Sequence, residues 1–334
     1  MKKVLFATTA LVATAGVAAA DVAITGGAEM GVAGGSEVNT TFHQSVDVRF
    51  TMSGEADGGL QFGAQIDLDD LVDTGADPVD VQGDFADFTV FISGDFGTLT
   101  MGDTDGALDW ALQEVNLGSP GSINDDETAH AGYFGNSFGD GFGDFDGQVL
   151  RYDYSIGDFG VALSAEVDDD DGLEGDYVIA LGANYSFGFS GGSVVIGAGY
   201  QYANDTTIAD AVTGDDEGSI IGLSAGVELD AGFSAAVNYS QLETDQFGDG
   251  EHMAIGASYT FDMITVHANY GQFDWDATAT VADSEGFGLA AAYDLGGGLS
   301  AHLGYGWSDV TASNASTTAE GDSNTFSLGL AMSF

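Results

Sequence analysis

The chain has 334 residues, of which 54 are acidic and four are basic, and it contains no cysteine. Its formal charge of -50 excludes nucleic acid as a partner, because phosphate binding depends on Lys and Arg, and the lack of cysteine excludes disulfides and thiolate metal sites. Hydrophobic residues make up 44% of the chain and only two residues are proline, a composition that excludes a disordered acidic segment.

The first twenty residues have the layout of a secretory signal peptide. Lys2 and Lys3 precede an apolar run rich in Ala and Thr, which ends in small residues before Asp21. We therefore predict a signal peptide over residues 1–20, export, and a mature chain over residues 21–334. Arg49 and Arg151 would be its only basic residues.

Apolar and polar residues alternate along most of the mature chain. In the segment SVDVRFTMSG, Val48 and Phe50 share one parity, whereas Asp47 and Arg49 share the other. Because successive side chains of a strand point to opposite faces, such segments predict strands with one apolar face and one polar face. Nowhere after Ala20 is an apolar run long enough for a membrane helix.

Tight turns alternate with long Asp-rich loops between these segments. We count about sixteen strands of about 8 to 12 residues, which predicts an all-β fold, a transmembrane antiparallel β-barrel with its apolar face turned outward. Since barrels of this size are not filled by side chains, we expect an aqueous lumen, and the 52 glycines suit a lumen that stays open.

Residues 104–147 are the longest stretch without a clear strand, and they follow the fifth predicted strand. Leu108, Trp110, Leu112 and Val115 stand there in a helix-like register, so we expect this segment to pack against the rest of the protein. Long irregular loops in compact proteins are usually functional.

The motif GDFGTLTMG, residues 94–102, resembles the turn and fifth strand of the general bacterial porins, directly ahead of their constriction loop. Residues 149–167 resemble the sixth and seventh strands of that family, and the terminal Phe334 resembles its outer-membrane assembly signal. The composition most resembles porins of marine alphaproteobacteria.

This resemblance implies an outer-membrane protein of a Gram-negative bacterium, embedded in the lipid bilayer by the assembly machinery. It implies a homotrimer of water-filled barrels, each narrowed by a third loop, here residues 104–147, that folds into the pore. The function implied is passive diffusion of ions and small hydrophilic solutes, without catalysis and without a required cofactor.

Charged residues on the inward parity are the candidate pore residues. Arg49 and Arg151 fall on that parity, with Asp47 and Asp153 beside them. Where relatives commonly carry arginine after the motif, this chain has Asp103. Because like charges around a narrow channel add up, we predict a cation-preferring pore. The acids on or beside the loop are Asp103, Asp105, Asp109, Glu114, Asp125, Asp126 and Glu127.

Two alternatives stay open at this stage. One is a substrate-specific outer-membrane channel, and the other is a secreted acidic β-protein that acts as an adhesin or binds calcium. Carboxylate oxygens suit calcium, and a candidate cluster is Asp168, Asp169, Asp170 and Asp171. The histidines lack metal-ligand spacing, and we expect His267 and His302 to be polar lining of the lumen.

Overall fold

The computed structural model describes residues 21–36, 38–68, 87–117, 122–123, 127–133, 135, 148–167, 177–204, 217–244, 248–276, 282–311 and 321–334. The predicted signal peptide lies outside the described residues. One short helix, α1 (Ala107–Ala111), accompanies sixteen strands in the described part of the chain. No helix among these residues is long and apolar enough to cross a membrane.

The strands follow one another in chain order. They are β1 (Asp21–Gly35), β2 (Thr41–Glu55), β3 (Gln61–Leu68), β4 (Asp87–Gly94), β5 (Gly97–Gly102), β6 (Val149–Ile156), β7 (Phe159–Val167), β8 (Tyr177–Phe189), β9 (Gly192–Ala203), β10 (Gly218–Leu229), β11 (Phe233–Thr244), β12 (Gly248–Phe261), β13 (Ile264–Trp275), β14 (Asp283–Gly296), β15 (Leu299–Thr311) and β16 (Gly321–Ser333).

Every strand pairs antiparallel with its neighbours in sequence, and β16 pairs with β1 to close the barrel. The closing register sets Gly31 opposite Gly329, and the backbone N–H of Phe334 donates to the carbonyl of Gly26 at 2.9 Å. Closure gives each strand two hydrogen-bonded neighbours, so no open sheet edge remains. The predicted sixteen-stranded antiparallel β-barrel is confirmed.

The outer face carries the apolar side chains. On β8 and β10, Ile179, Leu181, Ile221 and Leu223 all point to this face, and each is about half exposed. Leaving the exposed half of each side chain in water would cost about 1 kcal/mol, whereas hydrocarbon accommodates it. The backbone is satisfied by the closed ladder, which a membrane-spanning sheet requires.

Aromatic side chains gather near both ends of the outer face. Tyr185 stacks on Phe187 at the tight-turn end of β8, and Tyr259 stacks on Phe261 at the same end of β12. At the opposite end Phe287 lies against Tyr305. Such belts mark the two interfaces of a bilayer.

Connections of two to five residues occupy one end of the barrel, and six of the eight connections at the other end have seven residues or more. The turns before β3, β5, β7, β9, β11, β13 and β15 lie at one end, which we call the turn end. The loops lie at the other end, and residues 103–148, between β5 and β6, form the third of them. The predicted alternation of tight turns with long loops is confirmed except at the short connections before β2 and β12.

Candidate functional site on the inner face

The third loop begins by packing against the inner face of the barrel. Gly102 ends β5 with a φ of 123°, and α1 then contacts β7, β8 and β9. The N–H of Ala107 donates to Ser164 Oγ at 2.8 Å, and the N–H of Gln113 donates to Ser224 Oγ at 2.8 Å. Serine hydroxyls of the wall therefore hold the first half of the loop.

The second half of the loop is held by the next strands. The side-chain amide of Asn269 donates to the carbonyl of Thr128 at 2.6 Å. The N–H of Ala131 donates to Ser308 Oγ at 3.1 Å, while Ser284 Oγ donates to the carbonyl of Ala131 at 2.6 Å. The loop is thus fixed at intervals around the inner wall from β7 to β15.

Glycines of the inner face make room for the loop backbone. A Cβ on Gly182 would overlap the carbonyl oxygen of Ala107, and a Cβ on Gly256 would overlap that of Val115. Our expectation that glycine keeps the lumen open is therefore wrong for these positions, since here glycine allows close backbone approach. Other wall glycines whose Cβ would meet the loop closely are Gly197, Gly199, Gly222, Gly271, Gly286, Gly288, Gly304 and Gly306.

The loop also covers the seam where the barrel closes. Ile123 is fully buried, and its side chain lies over both Gly31 of β1 and Gly329 of β16. These two glycines are directly paired across the seam. One apolar side chain of the loop therefore contacts the first and the last strand.

Both arginines of the described chain are paired with carboxylates. Arg49 on β2 donates from Nε to Asp67 Oδ2 at 2.5 Å, and the two residues are direct cross-strand partners. Arg151 on β6 donates from Nη1 to the carbonyl of Asp105 at 2.6 Å, with Asp153 Oδ1 at 3.6 Å from its Nε. Each guanidinium is therefore neutralised by its own acidic neighbours.

The sequence model of the Gram-negative porin family matches residues 7–333 of this chain. The chain belongs to the Gram-negative porin family. A porin of Rhodobacter capsulatus is 33% identical over 278 residues, which cover 76% of this chain and 83% of that protein. Membership and the closed barrel assign this porin to the outer membrane, and they remove the secreted, water-soluble alternative.

Solved porins have the same fold. One refined porin structure matches 94% of this chain and 100% of its own with a TM-score of 0.68 at 24% identity. The anion-selective porin from Comamonas acidovorans matches 95% of this chain and 100% of its own with a TM-score of 0.65 at 16% identity.

The structure separates the predicted pore residues by exposure. Asp103, Asp105 and Glu114 are exposed, whereas Asp47, Asp109 and Asp153 are half-buried. Arg49 is half exposed, but the Arg151 side chain is only 11% exposed because it holds Asp105 at the start of the loop. Asp125 and Asp126, as well as Asp168 to Asp171, lie outside the described residues.

Glu127 does not line the lumen, and its prediction as a pore-facing acid is wrong. It is completely buried, accepts a hydrogen bond from Ser327 Oγ at 3.0 Å, and packs against Gly304 and Gly306. His267 and His302 are buried as well, so they are not polar lining in contact with water.

A buried aromatic cluster under the loop was missed by sequence analysis. His252 of β12 lies between Tyr133 of the loop and Phe273 of β13, with ring centroids 6.2 and 4.2 Å away. Its Nε2–H donates to the carbonyl of Gly132 at 3.1 Å, and the N–H of Gly132 donates to His130 Nδ1 at 3.2 Å. This cluster fixes the middle of the loop to the wall.

Burial shifts the titration of the loop members of this cluster. Desolvation lowers the pKa of His130 from 6.5 to about 4, although a hydrogen bond with Asn269 opposes that shift. Desolvation, with the negative charge of Glu114 as a smaller cause, raises the pKa of Tyr133 above its usual value. Both side chains are therefore neutral where the loop meets the wall at neutral pH.

Proposed function

We propose that this porin forms a water-filled channel for passive diffusion of small hydrophilic solutes and ions, with a preference for cations. The observation that carries this proposal is the asymmetry of charge on the inner side. Arg49 and Arg151 each lie against carboxylates, and Asp103 and Glu114 add exposed negative charge near the start of the loop. Fixed negative charge around a water-filled passage favours entry of cations.

The third loop, residues 104–147, would set the width of the passage. This role is supported by the hydrogen bonds of the loop to the inner wall. One side of the loop faces the wall, and the other side then faces the lumen. Selectivity would then depend on side chains and not on the barrel itself. A related fold occurs in a porin named as anion-selective, so charge placement must differ between the two proteins.

Ion selectivity is tested by measuring the zero-current potential of the protein in a planar bilayer across a potassium chloride gradient. At about 7 Å in water one charge contributes about 0.6 kcal/mol, roughly halved by salt near 0.1 M. Removing this charge changes potassium entry and chloride entry in opposite directions by about 1.7-fold each, so Glu114→Gln should lower the potassium-to-chloride permeability ratio about threefold. Glu251→Gln is the control, because Glu251 lies on the outer parity of β12.

A potential that favours chloride in the unmodified protein would reject cation preference. An equal effect of both substitutions would mean that Glu114 does not face the ion path. Large ohmic steps arriving in threes would in addition support the homotrimer, which we propose from family membership alone.

We further propose that Phe334 is read by the outer-membrane assembly machinery. Its backbone completes the ladder with Gly26, while its side chain is 69% exposed on the surface. Deleting Phe334 should reduce the heat-modifiable, folded protein in outer-membrane fractions several-fold. Phe326→Ala, which shortens another outer aromatic side chain of β16, is the control; a similar loss there would assign the effect to strand stability.

Two finer points remain proposals. A substrate-specific channel would need a binding site in the lumen, and the recess lined by Glu114 and Glu228 is one candidate. Calcium binding at Asp168–Asp171 stays a prediction, since these residues lie outside the described part of the chain.

A further inference from the structure

A recess of about 630 Å³ lies between the third loop and the turn end of the inner wall. Residues 112–117 of the loop form one side of the recess. The inner faces of β9 to β12 form the other side, near the turn that ends at Gly232. The volume lies within the range of small-molecule pockets, about 300–1,000 Å³.

Two carboxylates lie in this recess without a basic partner. Glu114 comes from the loop, and Glu228 comes from the inward parity of β10. Both are exposed, and neither forms an ion pair within the described residues. Arg49 and Arg151 are engaged elsewhere, so neither arginine balances these two charges, and a cation from solution is attracted to them.

The remaining lining is partly apolar. Leu117 and Val195 contribute hydrocarbon surface, and Ser193 and Ser234 contribute hydroxyl groups. A hydrated potassium ion gains nothing from leucine or valine, whereas a cation that carries alkyl groups removes apolar area from water on binding. The combination of charge and apolar surface distinguishes an organic cation from an inorganic one.

We propose that the recess binds a small organic cation, an ammonium group with a short alkyl body. The ammonium lies between Glu114 and Glu228, and the alkyl body packs on Leu117 and Val195. Because the recess is at the turn end, such a cation reaches it more readily from that side of the channel. The inference rests on the proposed water-filled channel.

The test measures potassium current through single channels in the presence of butyltrimethylammonium. Tetramethylammonium and butanol serve as matched probes that lack the alkyl chain or the charge. We expect reversible block by butyltrimethylammonium at several-fold lower concentration than by tetramethylammonium, and no block by butanol. Block should require less compound when it is added at the turn end.

Variants locate the site. Glu228→Gln and Glu114→Gln should each raise the half-blocking concentration about threefold, as expected from removing one nearby charge. Glu55→Gln is the matched control, because Glu55 is an exposed acid at the turn end of β2 and does not line the recess. Its half-blocking concentration should equal that of the unmodified protein.

The outcomes separate the two proposals. Equal block by both ammonium compounds, or an equal effect of Glu55→Gln, would overturn the recess and leave a diffuse electrostatic effect. Cation-preferring channels that are not blocked at all would overturn the proposed binding of an organic cation and leave the proposed function intact. Folded protein that forms no channels would reject the proposed function and the recess with it.

Discussion

Replacing Gly256 by valine is expected to make the open-channel current smaller and noisier. The new Cβ would occupy the position of the Val115 carbonyl oxygen, so the loop backbone must move away from the wall and toward the lumen. Overpacking of this kind costs about 1–3 kcal/mol, comparable to one or two of the hydrogen bonds that hold the loop. The measurement is single-channel conductance together with its current noise.

The matched control is Gly188→Val on β8. A Cβ at Gly188 would meet no atom within 4 Å, so the same glycine-to-valine change occurs in a strand without touching the loop. This variant should conduct like the unmodified protein. If Gly256→Val also conducts without change, the loop is not held against β12 as described. Heat-modifiable migration on gels verifies that both barrels are closed.

Acidification below pH 6.5 is expected to loosen the third loop. A released loop exposes His130, which then has a pKa near 6.5, whereas in the docked loop its pKa is about 4. Above pH 6.5 the His130 side chain is neutral in both the docked and the released loop, so docking has its full stability. Between pH 6.5 and 4 only the released state binds the proton, so docking weakens by up to about 1.4 kcal/mol per pH unit.

Current noise recorded from pH 8 down to pH 4 measures this effect. Noise should stay low at pH 7 to 8, rise as the pH falls toward 4, and recover on return to neutral pH. His252 and Tyr133 face His130 in the same cluster, so His130→Gln should reduce the rise and not abolish it. His43→Gln, on distant β2, should change nothing. A flat profile in the unmodified protein would contradict the prediction.

The barrel could be predicted because the alternation of apolar and polar residues shows which face of each strand points outward. Most outward residues are apolar and most inward ones are small or polar, so the period of two identifies both the strand and its face. For example, parity with the neighbouring apolar residues predicts that Tyr152 and Tyr200 point outward, and both are exposed in the structure. Turn positions followed in the same way, since glycine and aspartate interrupt the alternation.

The arrangement inside the barrel could not be predicted in the same way. Parity has no meaning in an irregular loop, so nothing in the sequence distinguishes the buried Glu127 from the exposed Glu114. His130 and His252 meet only because the loop folds back across β12. Apolar Leu108 and Val115 did signal that the loop packs, but not against which strands.

The position of Ile123 over the seam has a consequence for the order of folding. Pairing of β1 with β16 joins the two ends of the chain, and contacts between such distant segments form slowly. Because Ile123 contacts Gly31 and Gly329 together, its burial site is incomplete until that last pair forms. The loop therefore acquires its final contacts only when the sheet becomes continuous, so barrel closure and the final docking of Ile123 depend on each other.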